Sequence, residues 1–170
     1  MTRYAPTAGQ DPQAVAEACV RQVRRAVARP ETRVAVIEAL RPYTRGTGHN
    51  DLNGEKIAEA IQQLCRAITF YREPAGQEYP GEVVQSPTVT LAINGGDCDD
   101  IAVVAATAAK VFGCEAAIGW TEEPGGGNFA HIVAAIRPGW YQPKERWIVI
   151  DAQKEKPASA DRLSAHWLGV

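Results

Sequence analysis

Three side chains that together perform nucleophilic acyl transfer occur in this chain: a thiol at Cys98, an imidazole at His131 and a carboxylate at Asp151. Cys98 lies in Gly96-Asp97-Cys98-Asp99-Asp100, just before an apolar run from Ile101 to Phe112. Gly95 and Gly96 permit a tight turn, Asp97 is a preferred N-cap, and the apolar run continues as a helix. The thiol is therefore expected among the N–H groups of a helix first turn, whose positive potential favours thiolate over thiol. His131 and Asp151 belong to two short apolar segments of strand character, 128–136 and 146–151. If those strands are antiparallel neighbours, Asp151 faces the ring, and its carboxylate accepts the Nδ1–H bond that fixes the tautomer.

The acidic neighbours oppose the helix terminus. Asp97, Asp99 and Asp100 raise a thiol pKa by like-charge repulsion, and a protonated His131 in contact restores the balance. Asp97 reads as the cap; Asp99 and Asp100 complement the helix dipole, with one of them anchoring a neighbouring loop. Three carboxylates can also hold a divalent metal, but the spacing is poor for an EF-hand, so no metal and no cofactor is expected. Acyl transfer further needs donors for a developing oxyanion. The backbone N–H of Cys98 is the first candidate and the side-chain amide of Gln85 the second. Cys19, Cys65 and Cys114 read as small core residues. His49 and His166 sit in loop and tail contexts.

These groups must be positioned by a chain of 170 residues, long enough for one domain with a real core. A hydrophobic content of 45 % with 22 % charged residues is ordinary for a soluble protein, and the net charge of -2 gives no reason to expect nucleic acid or anionic membrane as a partner. Arg21, Arg24, Arg25, Arg29 and Arg33 fall in one stretch and read as a solvated helix face rather than a phosphate-binding patch. The cysteines lack CxxC spacing, which argues against a zinc ribbon and for a reducing compartment. The first ten residues lack the apolar core of a signal peptide, and no apolar run is long enough to span a bilayer. The expected location is the cytoplasm or a phage particle.

Residues 1–10 read as a disordered tail. Residues 11–64 carry three helical patterns: one opened by Asp11 and Pro12, one from Glu31 to Tyr43 after Pro30, and one starting at Asn53 or Gly54. Thr69 to Arg72 is β-prone, and Pro87 holds Gln85 and Ser86 extended. Gly113 closes the cysteine helix. Three β-prone stretches follow, at 114–121, 128–136 and 146–151. The segment 154–170 reads as a polar tail in which Leu163, Trp167 and Leu168 dock as a short helix. Helices first and an antiparallel meander afterwards make an α+β domain spanning 1–170, with the cysteine helix packed on the sheet.

The blocks Gln85-Ser86-Pro87, Gly96-Asp97-Cys98-Asp99-Asp100, Ala130-His131-Ile132-Val133 and Trp147-Ile148-Val149-Ile150-Asp151 resemble the transglutaminase-like superfamily of thiol enzymes. The resemblance covers residues 65–153 and is closest to the short bacterial and phage-associated members. It implies a papain-like core with an N-terminal helical extension, a nucleophilic Cys98, a His131 base and an orienting Asp151. Two positions depart from the pattern: Ile132 and Val133 replace an aromatic residue after the histidine, and Ala152 replaces a proline after the aspartate. The implied activity is amide hydrolysis or acyl transfer on a protein or peptide substrate, through a thioester. The alternative is a phage or prophage assembly module with a vestigial triad, meeting a phage or bacterial protein through its N-terminal helices.

Overall fold

The computed structural model describes residues 11–45, 54–71, 84–122, 129–137, 146–160 and 165–170. The expected tail at 1–10, the loops at 46–51 and 73–79, the triple glycine at 125–127, the connection at 138–143, His49 and Leu163 lie outside the described residues. The elements run α1 (Pro12–Val27), α2 (Pro30–Leu40), α3 (Gly54–Ala67), β1 (Thr69–Phe70), α4 (Pro87–Ile93), β2 (Gly95–Gly96), α5 (Cys98–Val111), β3 (Glu115–Glu122), β4 (Phe129–Arg137), β5 (Ile148–Ile150), β6 (Ala158–Ser159) and β7 (Ala165–Gly169). This is an α+β fold.

The helix starts follow their capping residues. Asp11 accepts the Gln13 N–H at 3.0 Å, with Pro12 at the first position of α1. One side of α1 buries Val15, Ala16, Cys19, Val20, Val23 and Ala26, while Arg21, Arg24, Arg25 and Arg29 are exposed. Ser86 is extended and caps α4, with Pro87 at its first position. That helix was not anticipated, although a serine followed by proline is a helix-start signal.

Helix α5 is the centre of the molecule. Every residue from Ile101 to Ala109 is buried, and all but Thr107 are apolar, so this stretch is enclosed on every side. It touches α1, α2, α3 and α4 as well as β3 and β4. Ala102, Ala105, Ala106, Ala108 and Ala109 let these neighbours approach its axis. The sheet order is β6-β5-β4-β3-β7, antiparallel throughout. Ile118, Ile132 and Ile136 are completely enclosed, and burying each such side chain contributes about 1.5–3 kcal/mol.

The C-terminal segment corrects the sequence reading. Residues 165–169 form strand β7 on the free edge of β3, not a docked helix. The pairing sets Gly119 opposite Trp167, and a Cβ on Gly119 would run into the Trp167 ring. Trp120 and His166 stack with ring centroids 5.1 Å apart on the same pair of strands. These aromatic contacts decide the state of a segment whose local pattern suits either element.

Candidate active site

The thiol is placed by two short strands and the first turn of α5. β1 runs parallel to β2, pairing Thr69 with Gly95 and Phe70 with Gly96, and the N–H groups of Thr69 and Tyr71 donate to the carbonyls of Asn94 and Gly96, both at 3.1 Å. The turn before Cys98 is thereby tied to the end of α3. A Cβ on Gly96 would come within 2.7 Å of the Asp100 Cβ, so this turn requires glycine. Asp97 is the N-cap of α5 in a capping-box arrangement with Asp100, and its N–H donates to Asp100 Oδ2 at 3.4 Å. The first helical bond runs from the Ile101 N–H to the Asp97 carbonyl at 3.1 Å. Cys98, Asp99 and Asp100 thus supply the first-turn N–H groups that precede the ladder.

Asp99 is 1 % exposed and Asp100 is fully buried. Asp100 accepts the Gln85 N–H at 2.7 Å and the Gln85 Nε2 at 2.6 Å, binding the segment before α4 to the first turn of α5. Burial drives the Asp100 carboxyl up to about 7; the Gln85 N–H opposes this, and the Asp97 charge adds to it. Gln85 also donates to the Tyr71 hydroxyl at 3.0 Å. Its amide is therefore turned to Asp100 and Tyr71, and it is not among the residues lining the cleft beside Cys98.

The lining of that cleft contains Cys98, His131 and Asp151 together with Phe70, Ile101, Ala102, Val133 and Ile150. His131 Nε2 lies 2.9 Å from Asp151 Oδ1, with the two side chains 17 % and 11 % exposed. The ring nitrogen facing the carboxylate is Nε2, not the Nδ1 expected from the sequence. Asp151 Oδ1 also accepts the Gln153 N–H at 2.9 Å. Burial pushes the Asp151 carboxyl up. The hydrogen bond and charge of His131, the Gln153 N–H and the Lys154 charge together outweigh that, holding it below the usual carboxylate value. An imidazole paired with a carboxylate, in a cleft that a thiol also lines, can support thiol ionisation and proton transfer.

Gln62, which sequence reasoning passed over, is 1 % exposed and hydrogen-bonds the backbone of Asp151. The signal was a glutamine between Ile61 and Cys65, both on the buried side of α3. Asp97, Asp99 and Asp100 each bring one carboxylate oxygen within 4.8 Å of the others, and they are the residues that could hold a metal ion among those described. Both Asp100 oxygens already accept N–H groups.

No protein-family model matches the chain, and no curated protein matches it. Solved structures do. Two structures of Legionella pneumophila LapG, one of them EGTA-treated, superpose with a TM-score of 0.57 at 15 % identity. The match covers 89 % of this chain and 79 % and 81 % of the two LapG chains. The likeness is one of fold. It spans most of this chain, the N-terminal helices included, because 89 % coverage exceeds what residues 65–153 supply.

Proposed function

We propose that the chain is a papain-like thiol enzyme that cleaves or transfers an amide acyl group through Cys98. The observation that carries this reading is the 2.9 Å pair of His131 and Asp151 lining the same cleft as a thiol at a helix N-terminus. It is supported by the likeness of fold to Legionella pneumophila LapG.

With Nε2 on Asp151, Nδ1 is the ring nitrogen left to take the Cys98 proton. The thiolate then attacks the amide carbonyl carbon. The oxyanion forms beside the first-turn N–H groups of α5, with the N–H of Cys98 as donor. His131 returns its proton to the departing amine, and the C–N bond breaks to leave a thioester on Cys98. Water, deprotonated by His131, attacks that thioester and releases a carboxylic acid; an amine in its place yields a new amide. Either route regenerates the thiol. Asp151 stays ionised throughout and steadies the imidazolium. Asp100, with its affinity for a proton raised to about 7, is partly neutral near neutral pH, which lessens the repulsion a thiolate meets from its acidic neighbours.

The substrate class is a protein or peptide, whose side chain meets the apolar wall of Phe70, Ile101, Ala102, Val133 and Ile150. A phage or bacterial protein partner, met through the N-terminal helices, fits the exposure of Val34 (61 %) and Ile37 (41 %) on α2. The same exposure favours the second reading, an interaction module with a silent triad. None of the described helices is long and apolar enough to cross a membrane. The deciding experiment is release of amine from peptide amides by the intact chain and by Cys98→Ala. Turnover by the intact chain that the variant lacks supports the enzyme; equal background from both supports the module.

A further inference from the structure

Packing alone does not account for Gln62. A buried primary amide is costly unless its carbonyl and both N–H groups find partners. All of this capacity is spent on one short segment after β5. Gln62 Oε1 accepts the Asp151 N–H at 3.1 Å, and Nε2 donates to the carbonyl oxygens of Asp151 and Lys154, both at 2.7 Å. Asp151 stands one residue past Ile150, the last β5 residue paired with β4. The ladder has therefore ended where the carboxylate must be held, and Gln62 grips the N–H and C=O of Asp151 as a neighbouring strand would. The carboxylate itself is occupied by the Gln153 N–H and by His131.

We propose that Gln62 is a positioning residue that fixes the Asp151 backbone so that Oδ1 meets Nε2 of His131. It places Gln62 of α3, a residue outside the stretch that carries the resemblance, behind the proton-handling pair. The kinetic consequence rests on the acyl-transfer reading above; the geometric one does not. A displacement of Asp151 by about 1 Å breaks a bond of 2.9 Å and frees the imidazole to turn.

Gln62→Met tests this, because it keeps length and volume while removing the amide. The first readout is the low-field proton resonance of the His131 Nε2–H bonded to Asp151, which Asp151→Ala eliminates. The second is the rate of iodoacetamide alkylation at Cys98. Gln62→Met is expected to move or abolish the ring resonance and to slow Cys98 alkylation about tenfold. Should Gln62→Met not fold, Gln62→Asn, which keeps an amide one methylene too short, is expected to give the same two changes. A lower unfolding midpoint with ring resonance and alkylation rate unaltered would mean that Gln62 only fills the core, and overturns the proposal. So does an intact chain that lacks the ring resonance. If the resonance responds to Gln62→Met while Cys98 of the intact chain alkylates like an ordinary thiol, positioning stands and the acyl-transfer reading falls.

Discussion

Cys65 and Cys98 lie near the same carboxylate and meet opposite surroundings. Cys65, on α3, has no exposed surface, and its sulfur sits 4.0 Å from the carbonyl oxygen of Ile101. Burial, aided by the Asp151 charge, pushes its thiol up to about 12, so it stays protonated. Cys98 stands three residues before Ile101, half-buried, at the start of α5 and lining the cleft that His131 also lines. Proximity to Asp151 therefore does not make a cysteine reactive. Under the proposed reading, what differs is access to water, the N–H groups of a helix first turn, and an imidazole that converts the aspartate charge from a hindrance into a support.

The contrast breaks outright if the wrong thiol acts. Cys98→Ala is expected to remove all amide cleavage and all labelling at this position, while circular dichroism and the unfolding midpoint stay near those of the intact chain. Residual turnover would shift the chemistry to another residue. Asp151→Asn sharpens the comparison at its shared carboxylate: turnover should fall about 10⁴-fold with the fold retained, since the imidazole is no longer held for proton transfer.

Two carboxylates near Cys98 should act on stability with opposite signs. Asp100 binds its proton more tightly in the folded chain, so its contribution to stability falls as pH rises from 3.8 to about 7. Asp151 is held below 3.8, so its contribution is present above that value and is lost on acidification through its lowered value. Unfolding midpoints measured across this range should fall less with rising pH in Asp100→Asn than in the intact chain. The smallest effect belongs to the cap. Asp97→Ala should cost about 1 kcal/mol in denaturant unfolding, the usual loss of an N-cap side chain. An unchanged denaturation midpoint would show that the turn is held by Gly96 and β1 alone.

Much of the thiol region could be read locally, because caps, glycines and an apolar run act over a few residues. Gly96, Asp97 and the start of α5 are of that kind. The order of histidine and aspartate on successive strands also pointed to a shared end of the sheet. Which ring nitrogen meets Asp151 was not legible, since it depends on strand twist and ring orientation rather than on residue order. Strand β7 was missed because its stability comes from Trp167 over Gly119, a partnership 48 residues apart in the chain. Gln62 was hidden for the same reason, as its partners are 89 and 92 residues away. The sequence offers Gln85 only as a second candidate oxyanion donor; its carboxylate partner, Asp100, becomes visible when the segment before α4 lies on α5.

The most direct test of a reactive Cys98 is iodoacetamide alkylation of the native chain as a function of pH, resolved by peptide mapping at each cysteine. The account predicts fast, single-site modification of Cys98 already below neutral pH, with Cys65 protected until the chain unfolds. Slow labelling of Cys98 with the pH dependence of an unperturbed thiol would contradict it.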